Sequence, residues 1–510
     1  MSTITTINHV LEFIEHSAHK VPDKIAVKDN AGAYTYAQLI TAAKHIGSAL
    51  AESTRFVRRP IPVLMEKSRD TLAAFFGIVY SGNCYVLLNP ALPASRLKQM
   101  KEVLHADTVI TDAAHEALAA EVFGDASAIL SVDQLLAHPI QESTLAHIRH
   151  GAVDTDPLYI NFTSGSTGVP KGVLITHRSV IDFITVFTDT FGLCEHDIFA
   201  NQAPFDFDVS VKDIYGALSL GATLVLVPRE MFSKPTELLD YLCENRITVM
   251  VWAVSALCLI TTFHALEYKI PDTLRSILFS GEVMPEKHLK QWMEALPDTT
   301  FVNLYGPTEI TCNCTYHIIG KEESLATIPI GKAFCNERVF LLDAEDREIT
   351  APHCSGEICV SGTTLSPGYF GNAEQTAKAF VQNPLNPDYP EIIYRTGDLA
   401  HYGDDGNLYF DGRKDFQIKH MGHRIELEEI EKAVHAVEGI ERCCCVFDEK
   451  KSKLYGFYIG TLEKRELFQL LKDTLPEFMI PGALRKTEHL PLTKNGKIDR
   501  AALKESVIKK

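Results

Sequence analysis

A short loop of glycines and hydroxyl side chains, held between two apolar runs, constrains the fold of this chain more than any other stretch. The apolar runs, residues 158–162 and 173–175, are predicted to be strands. The loop carries donors at Thr163, Ser164, Ser166, Thr167 and Lys171 and glycines at positions 165, 168 and 172. Because glycines let backbone N–H groups approach a ligand, the pattern predicts a polyphosphate site, with a solvated hairpin loop as the alternative. A P-loop NTPase is disfavoured, since Lys171 leads into a strand and not into a helix.

Elsewhere the chain alternates strand-like and helix-like segments, which predicts an α/β architecture with parallel sheets. Residues 6–17 have apolar side chains at a helical period, and Thr176 is suited to cap a helix with an apolar stripe. From about residue 327, short strands with glycine turns predict a small β-subdomain that closes the large domain. We therefore expect a large N-terminal domain at 1–411 and a small α+β C-terminal domain at 412–510.

Composition excludes several classes of protein. The 510 residues carry a formal net charge of −17 and no basic stripe, which argues against a nucleic-acid partner. From Gly412 onward, 20 Lys and Arg outnumber 16 Asp and Glu, so the small domain is the basic part of an acidic chain. The 12 cysteines form no Cys-x-x-Cys pair, and no leader pattern or apolar run of about 18 residues is present. We expect a cytoplasmic protein with reduced cysteines and no membrane insertion.

Six motifs in a fixed order resemble those of the adenylate-forming superfamily, which comprises acyl-CoA synthetases, luciferases and amino-acid adenylation domains. They extend over nearly the whole chain and are residues 163–172 (Thr-Ser-Gly-Ser-Thr-Gly-Val-Pro-Lys-Gly), 205–210 (Phe-Asp-Phe-Asp-Val-Ser), 303–309 (Asn-Leu-Tyr-Gly-Pro-Thr-Glu), 394–398 (Tyr-Arg-Thr-Gly-Asp), 412–415 (Gly-Arg-Lys-Asp) and 492–499 (Leu-Thr-Lys-Asn-Gly-Lys-Ile-Asp). The resemblance implies that the chain binds ATP and Mg²⁺, activates a carboxylic acid as its adenylate, and has a mobile small domain.

The resemblance also implies roles for individual residues, and their chemistry agrees with it. Glu309 is a hard oxygen ligand suited to a magnesium ion that bridges nucleotide phosphates, and Thr308 can donate to the α-phosphate. Asp398 can accept both ribose hydroxyls, and Lys497 would neutralise charge that builds up on the carboxylate and the α-phosphate. Asp415 is the implied hinge of the small domain. The implied nucleotide-binding residues are Thr163, Ser164, Gly165, Ser166, Thr167, Gly168, Lys171, Gly281, Glu282, Val283, Asn303, Tyr305, Gly306, Asp398 and Arg413.

Asp208 indicates which kind of acid is activated. In the amino-acid-adenylating members of the family that the chain resembles, an aspartate at this position pairs with the α-ammonium of the substrate. Because a buried carboxylate without a partner is costly, Asp208 implies a cationic ligand group. The alternative is that Asp206 or Asp208 caps the next helix. Lys212 is unusual in a pocket, because its ammonium needs an acceptor unless it reaches solvent. The substrate-lining residues implied by the family are Asp208, Val209, Lys212, Val251, Leu278, Ser280, Leu304, Cys312 and Asn313.

Two stretches, residues 281–285 and 415–431, resemble stand-alone D-alanine–carrier protein ligases, although Ser280 stands where those ligases have cysteine. We therefore expect a small or polar amino acid, D-alanine or serine-like.

Since the chain ends soon after residue 499, we also expect a separate carrier protein that docks on the basic small domain by complementary charge. Its phosphopantetheine thiol would take the aminoacyl group near Gly422. An acyl- or aryl-acid CoA ligase is the enzymatic alternative, and a nucleotide-binding regulatory protein is the non-catalytic one.

Overall fold

Strands and helices alternate along the chain, as the apolar pattern predicts. The computed structural model describes residues 6–54, 56–124, 127–165, 168–449, 451–493 and 498–508, so Ser166, Thr167 and Lys497 lie outside the described residues. Up to residue 227 the strands are β1 (Ile25–Asp29), β2 (Gly32–Thr35), β3 (Pro60–Leu64), β4 (Cys84–Leu87), β5 (Thr108–Thr111), β6 (Ala128–Ser131), β7 (Pro157–Thr163), β8 (Lys171–Thr176), β9 (Ile198–Asn201) and β10 (Thr223–Leu226). The helices of the same part are α1 (Leu11–Lys20), α2 (Tyr36–Ser53), α3 (Arg69–Tyr80), α4 (Ala94–Leu104), α5 (Glu116–Phe123), α6 (Val132–Leu136), α7 (Glu142–His150), α8 (His177–Thr190) and α9 (Val209–Leu220).

Between residues 228 and 413 strands outnumber helices. The strands are β11 (Val249–Ala253), β12 (Ser276–Ser280), β13 (Thr300–Tyr305), β14 (Thr315–Ile318), β15 (Lys332–Ala333), β16 (Glu337–Leu342), β17 (Glu348–Ile349), β18 (Gly356–Gly362), β19 (Gly368–Tyr369), β20 (Phe380–Gln382), β21 (Ile392–Tyr402) and β22 (Leu408–Arg413). The helices are α10 (Pro235–Glu244), α11 (Val254–Thr262), α12 (Ala265–Tyr268), α13 (Glu286–Ala295) and α14 (Ala373–Ala379), with 3-10 turns at Arg229–Ser233 and Thr308–Ile310.

The small domain follows. Its described strands are β23 (Gln417–His420), β24 (His423–Glu426), β25 (Ile440–Asp448), β26 (Lys453–Gly460) and β27 (Ala483–Lys486). Its described helices are α15 (Leu427–His435), α16 (Lys464–Lys472) and α17 (Arg500–Ile508), with a 3-10 turn at Glu477–Met479.

Two mixed sheets form the bulk of the large domain. Among the described strands, one sheet has nine in the order β15-β14-β13-β12-β11-β9-β10-β1-β2, and the other has seven in the order β19-β8-β7-β4-β3-β5-β6. Parallel pairs fill the centre of each sheet, and antiparallel pairs such as β1–β2 and β7–β8 lie toward the edges. Strands buried on both faces need continuous apolar runs, and β3, β4 and β11 are buried along their whole length.

A third sheet confirms the predicted β-subdomain. Its described strands run in the order β17-β16-β18-β21-β20, with β22 paired to β21, and every pair is antiparallel. Strand β22 pairs Arg413 with Asp398, so it continues across the predicted boundary between residues 411 and 412. That boundary remains a prediction.

In the small domain, the hairpin β23–β24 precedes a three-stranded sheet of β25, β26 and β27. Cys443 and Cys445 face one apolar cluster, with α15 and α16, while Cys444 faces another beside α17. This confirms that the three consecutive cysteines alternate between the faces of a strand. All 12 cysteines are free thiols in the described chain.

The predicted helix at residues 6–17 begins later, at Leu11. Upstream of it, the N–H of Val10 donates to Nδ1 of His177 (3.3 Å), and the rings of His9 and His177 lie 3.9 Å apart. These contacts hold the preceding residues in a non-helical segment against α8, which explains why their backbone is not helical although their apolar side chains have a helical period. Thr176 caps α8 as predicted, because its side chain accepts from the N–H of Ser179.

Candidate functional site

The predicted site residues converge where three strands end. Thr163 ends β7, Ser280 ends β12 and Tyr305 ends β13. Ligands of α/β sheets bind beyond the carboxyl ends of the strands, and here the hairpin β23–β24 lies against this edge. The resulting cleft measures ≈ 500 Å³ with the space open to solvent included. The predicted residues that line it are Asp208, Val209, Ser280, Gly281, Gly306, Thr308, Cys312, Asp398 and Arg413.

The described start of the phosphate loop is bound to the small domain. Ser164 Oγ donates to the carbonyl oxygen of Arg424 (2.8 Å) and accepts from the N–H of Glu426 (3.1 Å). The N–H of Gly165 donates to Glu429 Oε2 (3.1 Å). A carboxylate therefore occupies a backbone donor that the sequence predicts for phosphate.

Two other loop residues are suited to a phosphate. Thr163 Oγ1 is buried and has no hydrogen-bond partner among the described residues, and an orphaned buried hydroxyl is costly. Lys171 Nζ lies 4.0 Å from Glu426 Oε1 and 5.4 Å from the centre of the Tyr369 ring. Burial lowers the pKa of Lys171, and nearby Arg424 lowers it further. A phosphate would satisfy the hydroxyl and stabilise the ammonium.

Glu309 is completely buried, which excludes a surface glutamate. Its Oε1 accepts from the hydroxyl of Tyr369 (2.8 Å), and its Oε2 accepts from Nη1 of Arg424 (2.7 Å). Burial acts to raise the pKa of Glu309, but Arg424 and Lys171 hold that pKa below its usual value, so the carboxylate stays ionised. An ionised oxygen donor fits Mg²⁺, which takes one or two carboxylates together with substrate phosphates. The described residues contain no group of three His, Cys, Asp or Glu placed to hold a metal.

At the nucleoside end, Asp398 lies on β21 and is buried. It accepts from the hydroxyl of Tyr305 (2.5 Å) at Oδ2 and from Nη1 of Arg413 at Oδ1. Arg413 also donates to both oxygens of Asp415 (2.6 and 2.8 Å). A carboxylate has about four acceptor positions, so Asp398 retains capacity for ribose hydroxyls. Arg413 is thus held by two carboxylates and is not a solvated surface residue.

The remaining predicted nucleotide residues have different surroundings. A Cβ on Gly306 would lie 2.4 Å from the Cα of Asn313, so only glycine fits there. Asn303 Nδ2 donates to the carbonyl of Pro329 (2.8 Å), and the side chain of Val283 is 79% exposed. Gly168, the next described residue after Gly165, has a left-handed backbone conformation, with φ of 86°.

Asp208 is the N-cap residue of α9, immediately before Val209, yet its side chain makes no capping hydrogen bond. The side chain is buried, and burial raises its pKa, while Thr308 opposes that rise. Lys212 and Lys419 are near enough to oppose this rise in the pKa. No Lys, Arg or His in the described chain comes within 4.0 Å of the carboxylate. Asp208 is therefore a buried carboxylate without an ion-pair partner in the part of the chain that the structure describes.

Lys212 is fully buried, so its ammonium does not reach solvent. Its Nζ donates to Asn313 Oδ1 (2.6 Å) and to Ser280 Oγ (3.3 Å), and burial lowers its pKa. Cys312 Sγ donates to the backbone carbonyl of Asp208 (3.0 Å). Polar contacts thus close the base of the pocket behind Ser280. The other predicted lining residues pack in the hydrophobic core and are Val251, Leu278 and Leu304.

Several residues of the site were not predicted from the sequence. Arg424 pairs with Glu309, Tyr369 donates to Glu309, and Lys419 lies 5.7 Å from the centre of the Tyr305 ring. Arg424 and Lys419 belong to the stretch 415–431 that the sequence singles out, and lysine and arginine among apolar residues are the signal that could have identified them.

Known proteins resemble this chain over most of its length. The profile of a family described as AMP-binding enzyme matches residues 14–370, and that of AMP-binding enzyme C-terminal domain matches residues 429–497. The chain is 32% identical over 525 residues to the D-alanine–D-alanyl carrier protein ligase of Bacillus cytotoxicus, with 98% of this chain and 99% of that protein covered. It is 33% identical over 500 residues to bacitracin synthase 1 of Bacillus licheniformis, a match that covers 97% of this chain but spans only 9% of that protein.

A solved structure agrees with this family match. The fold resembles holo-PA1221, described as an NRPS protein containing adenylation and PCP domains, with a TM-score of 0.80 and 27% identity over 97% of this chain and 84% of that chain. Among the described helices, none is long and apolar enough to cross a membrane.

Proposed function

The chain belongs to the family of AMP-binding, adenylate-forming enzymes, of the type found in peptide-synthetase adenylation domains and D-alanine–carrier protein ligases, and on this premise we propose that it activates an amino acid with ATP. The aminoacyl group then passes to the phosphopantetheine thiol of a separate carrier protein. The proposed substrate is a small or polar amino acid, D-alanine or serine-like, and the proposed location is the cytoplasm.

Asp208 is the observation that carries this proposal. A buried carboxylate without an ion-pair partner among the described residues is unfavourable, and an α-ammonium at that position would supply the missing charge. Fatty and aryl acids have no such group, so an acyl- or aryl-acid CoA ligase would gain nothing from Asp208. The same observation disfavours the non-catalytic alternative, since a protein that only binds nucleotide needs no partner for an ammonium.

The base of the pocket supports a small substrate side chain. Lys212 fills the space behind Ser280 and is tied to Asn313, while Cys312 is tied to the backbone of Asp208. The polar atoms at this base, chiefly the hydroxyl of Ser280, are able to accept a hydrogen bond from a serine hydroxyl or to donate one to it. A long apolar side chain would have to displace a buried lysine.

In the first half-reaction, an oxygen of the amino-acid carboxylate attacks the α-phosphorus of ATP, and the bond from that phosphorus to the bridging oxygen of pyrophosphate breaks. Thr163, Lys171 and Thr308 are the described residues proposed to bind the phosphates, and Asp398 the ribose. Lys497 is proposed to neutralise the charge that develops on the entering oxygen and the α-phosphate. Mg²⁺, when bound at Glu309, would neutralise phosphate charge.

In the second half-reaction, the thiol sulfur attacks the carbonyl carbon of the aminoacyl-AMP, AMP leaves with the bridging oxygen, and the thiol proton passes to solvent. The arrangement of the two domains supports this step. Ser164 and Gly165 of the phosphate loop, together with Glu309, are bound by residues of the small domain. Residues of the small domain thus take the place of phosphate at Ser164 and Gly165 and bind Glu309, as expected after pyrophosphate has left. We propose that rotation of the small domain about Asp415 breaks these contacts and brings Lys497 to the α-phosphate.

The similarity to the D-alanine–D-alanyl carrier protein ligase of Bacillus cytotoxicus supports a separate carrier, because the match covers 99% of that protein and its name includes a carrier protein. The excess of Lys and Arg beyond residue 412 would attract an acidic carrier. Loading of purified holo-carriers, one D-alanyl carrier protein and one peptidyl carrier domain, can be followed by mass spectrometry. Absence of loading on both, with coenzyme A accepted instead, would contradict this part of the proposal.

ATP–pyrophosphate exchange tests the amino-acid proposal. Each D- and L-amino acid, together with the des-amino acids propionate and 3-hydroxypropionate, is measured with the full chain. We expect ATP–pyrophosphate exchange with a small amino acid and no exchange with its des-amino counterpart. Exchange with simple carboxylic acids alone would favour the acyl- or aryl-acid CoA ligase.

A further inference from the structure

The turn of the hairpin β23–β24 has an unusual backbone. The strands pair as far as His420 and His423, which leaves Met421 and Gly422 as a two-residue turn. Both turn residues are left-handed, with φ of 52° and 80°. Turns of this kind favour Asn-Gly, and a methionine rarely adopts a positive φ. Such strain persists where surrounding contacts enforce it and where function requires it.

The turn binds a carboxylate of the large domain. Consecutive N–H groups in turn conformations form a concave site for an anion. The N–H of Gly422 donates to Glu282 Oε1 (3.0 Å), and the neighbouring N–H of Met421 helps to oppose the rise in the pKa of the Glu282 carboxyl. Glu282 follows β12, so this contact joins two parts of the chain that are 140 residues apart.

The surroundings make the contact specific to this domain arrangement. Gly422 is buried, and a Cβ built on it would lie 3.5 Å from the ring of Phe207 and 3.6 Å from the Cβ of Ala253. Burial raises the pKa of Glu282, while the two backbone N–H groups and Lys419 oppose that rise. The hairpin thus supplies both the donors and the positive charge that Glu282 needs when it is covered.

We propose that Glu282 is a positioning residue whose carboxylate holds the turn Met421–Gly422 against the large domain and keeps the hairpin in the cleft during thioester formation. The identification of the step as thioester formation rests on the proposed function, whereas the contact between Glu282 and the turn does not. The role is distinct from the nucleotide binding that the family resemblance implies for Glu282. It predicts that loss of the carboxylate weakens the second half-reaction more than the first.

Amide hydrogen exchange of the full chain tests the contact directly. In Glu282→Ala, the amide of Gly422 should exchange at least ten-fold faster than in the wild type, because it loses its acceptor. Glu282→Gln keeps one acceptor oxygen and should give an intermediate rate. Glu286→Ala is the matched control, since Glu286 is exposed on α13 a few residues away. Exchange that is equally fast in wild type and Glu282→Ala would overturn the proposal.

A rate comparison tests the consequence. D-alanyl- and seryl-adenylate are supplied with pantetheine as acceptor thiol, and pyrophosphate exchange is measured on the same variants. Glu282→Ala should lower thioester formation at least five-fold more than pyrophosphate exchange, with partial rescue in Glu282→Gln. Equal losses would mean that Glu282 acts on the nucleotide and would overturn the positioning role. If no amino acid supports exchange, the proposed function fails, while the amide protection still decides whether Glu282 holds the turn.

Discussion

Replacing Asp208 by asparagine removes the charge of the side chain and keeps its shape. Asparagine keeps one acceptor oxygen and nearly the same volume, so α9 and the pocket wall should be unaffected. The carboxylate of the wild type is buried and has no ion-pair partner among the described residues. Its pairing with a substrate ammonium would therefore be the main electrostatic contact that the substitution deletes.

The size of the effect follows from burial. Removing one partner of a buried, hydrogen-bonded charge pair costs about 2–5 kcal/mol. Since about 1.4 kcal/mol is ten-fold, kcat/KM for the amino acid should fall roughly 30- to 4,000-fold in Asp208→Asn. For the des-amino acid the wild type must bury an unpaired carboxylate, so the substitution should cost that substrate nothing or favour it.

Pyrophosphate exchange with alanine and propionate, and with serine and 3-hydroxypropionate, measures both effects in one assay. Asn89→Ala is a suitable comparison, because its side chain binds the neighbouring Asp206 and not Asp208. Comparable losses for the amino acid and its des-amino analogue would refute the reasoning, because Asp208 would then shape the pocket without pairing with an ammonium.

Three further outcomes are expected. Lys497→Ala should lower pyrophosphate exchange at least 10²-fold while thioester formation from supplied aminoacyl-AMP largely survives, and equal losses in the two assays would contradict the division of roles. Lys212→Ala should open space behind Ser280 and raise the use of larger amino acids relative to alanine about ten-fold, measured as a ratio of kcat/KM; an unchanged ratio would show that Lys212 does not limit the pocket. Burial holds the pKa of His177 at about 3 instead of 6.5, so the unfolded chain binds a proton first as the pH falls. Stability should therefore decrease from pH 6.5 downward, by about 2 kcal/mol at pH 5, and chemical denaturation of His177→Asn should show a smaller decrease.

The sequence predicts those parts of the site that depend on local chemistry. Glu309 follows a turn after the end of β13, and Asp398 follows Gly397 within β21. The burial and hydrogen bonds of both carboxylates agree with acidic groups kept for a ligand. The third sheet and the strand of consecutive cysteines follow from glycine turns and from the two-residue period of strands. Such features need only a short window of sequence.

Contacts between distant segments could not be predicted in this way. The ion pair of Arg424 with Glu309 spans 115 residues, and the contact of Gly422 with Glu282 spans 140. Both depend on how the small domain lies against the large one, which no local period encodes. The late start of α1 has the same cause, because His177 fixes the residues before Leu11.

The measurement that tests the central claim most directly is amino-acid-dependent ATP–pyrophosphate exchange in the wild type and in Asp208→Asn. The account predicts exchange with a small amino acid of one or both hands, none with the matching des-amino acid, and a loss of about two orders of magnitude in the variant. Exchange driven by simple carboxylic acids and unaffected by Asp208→Asn would contradict amino-acid activation.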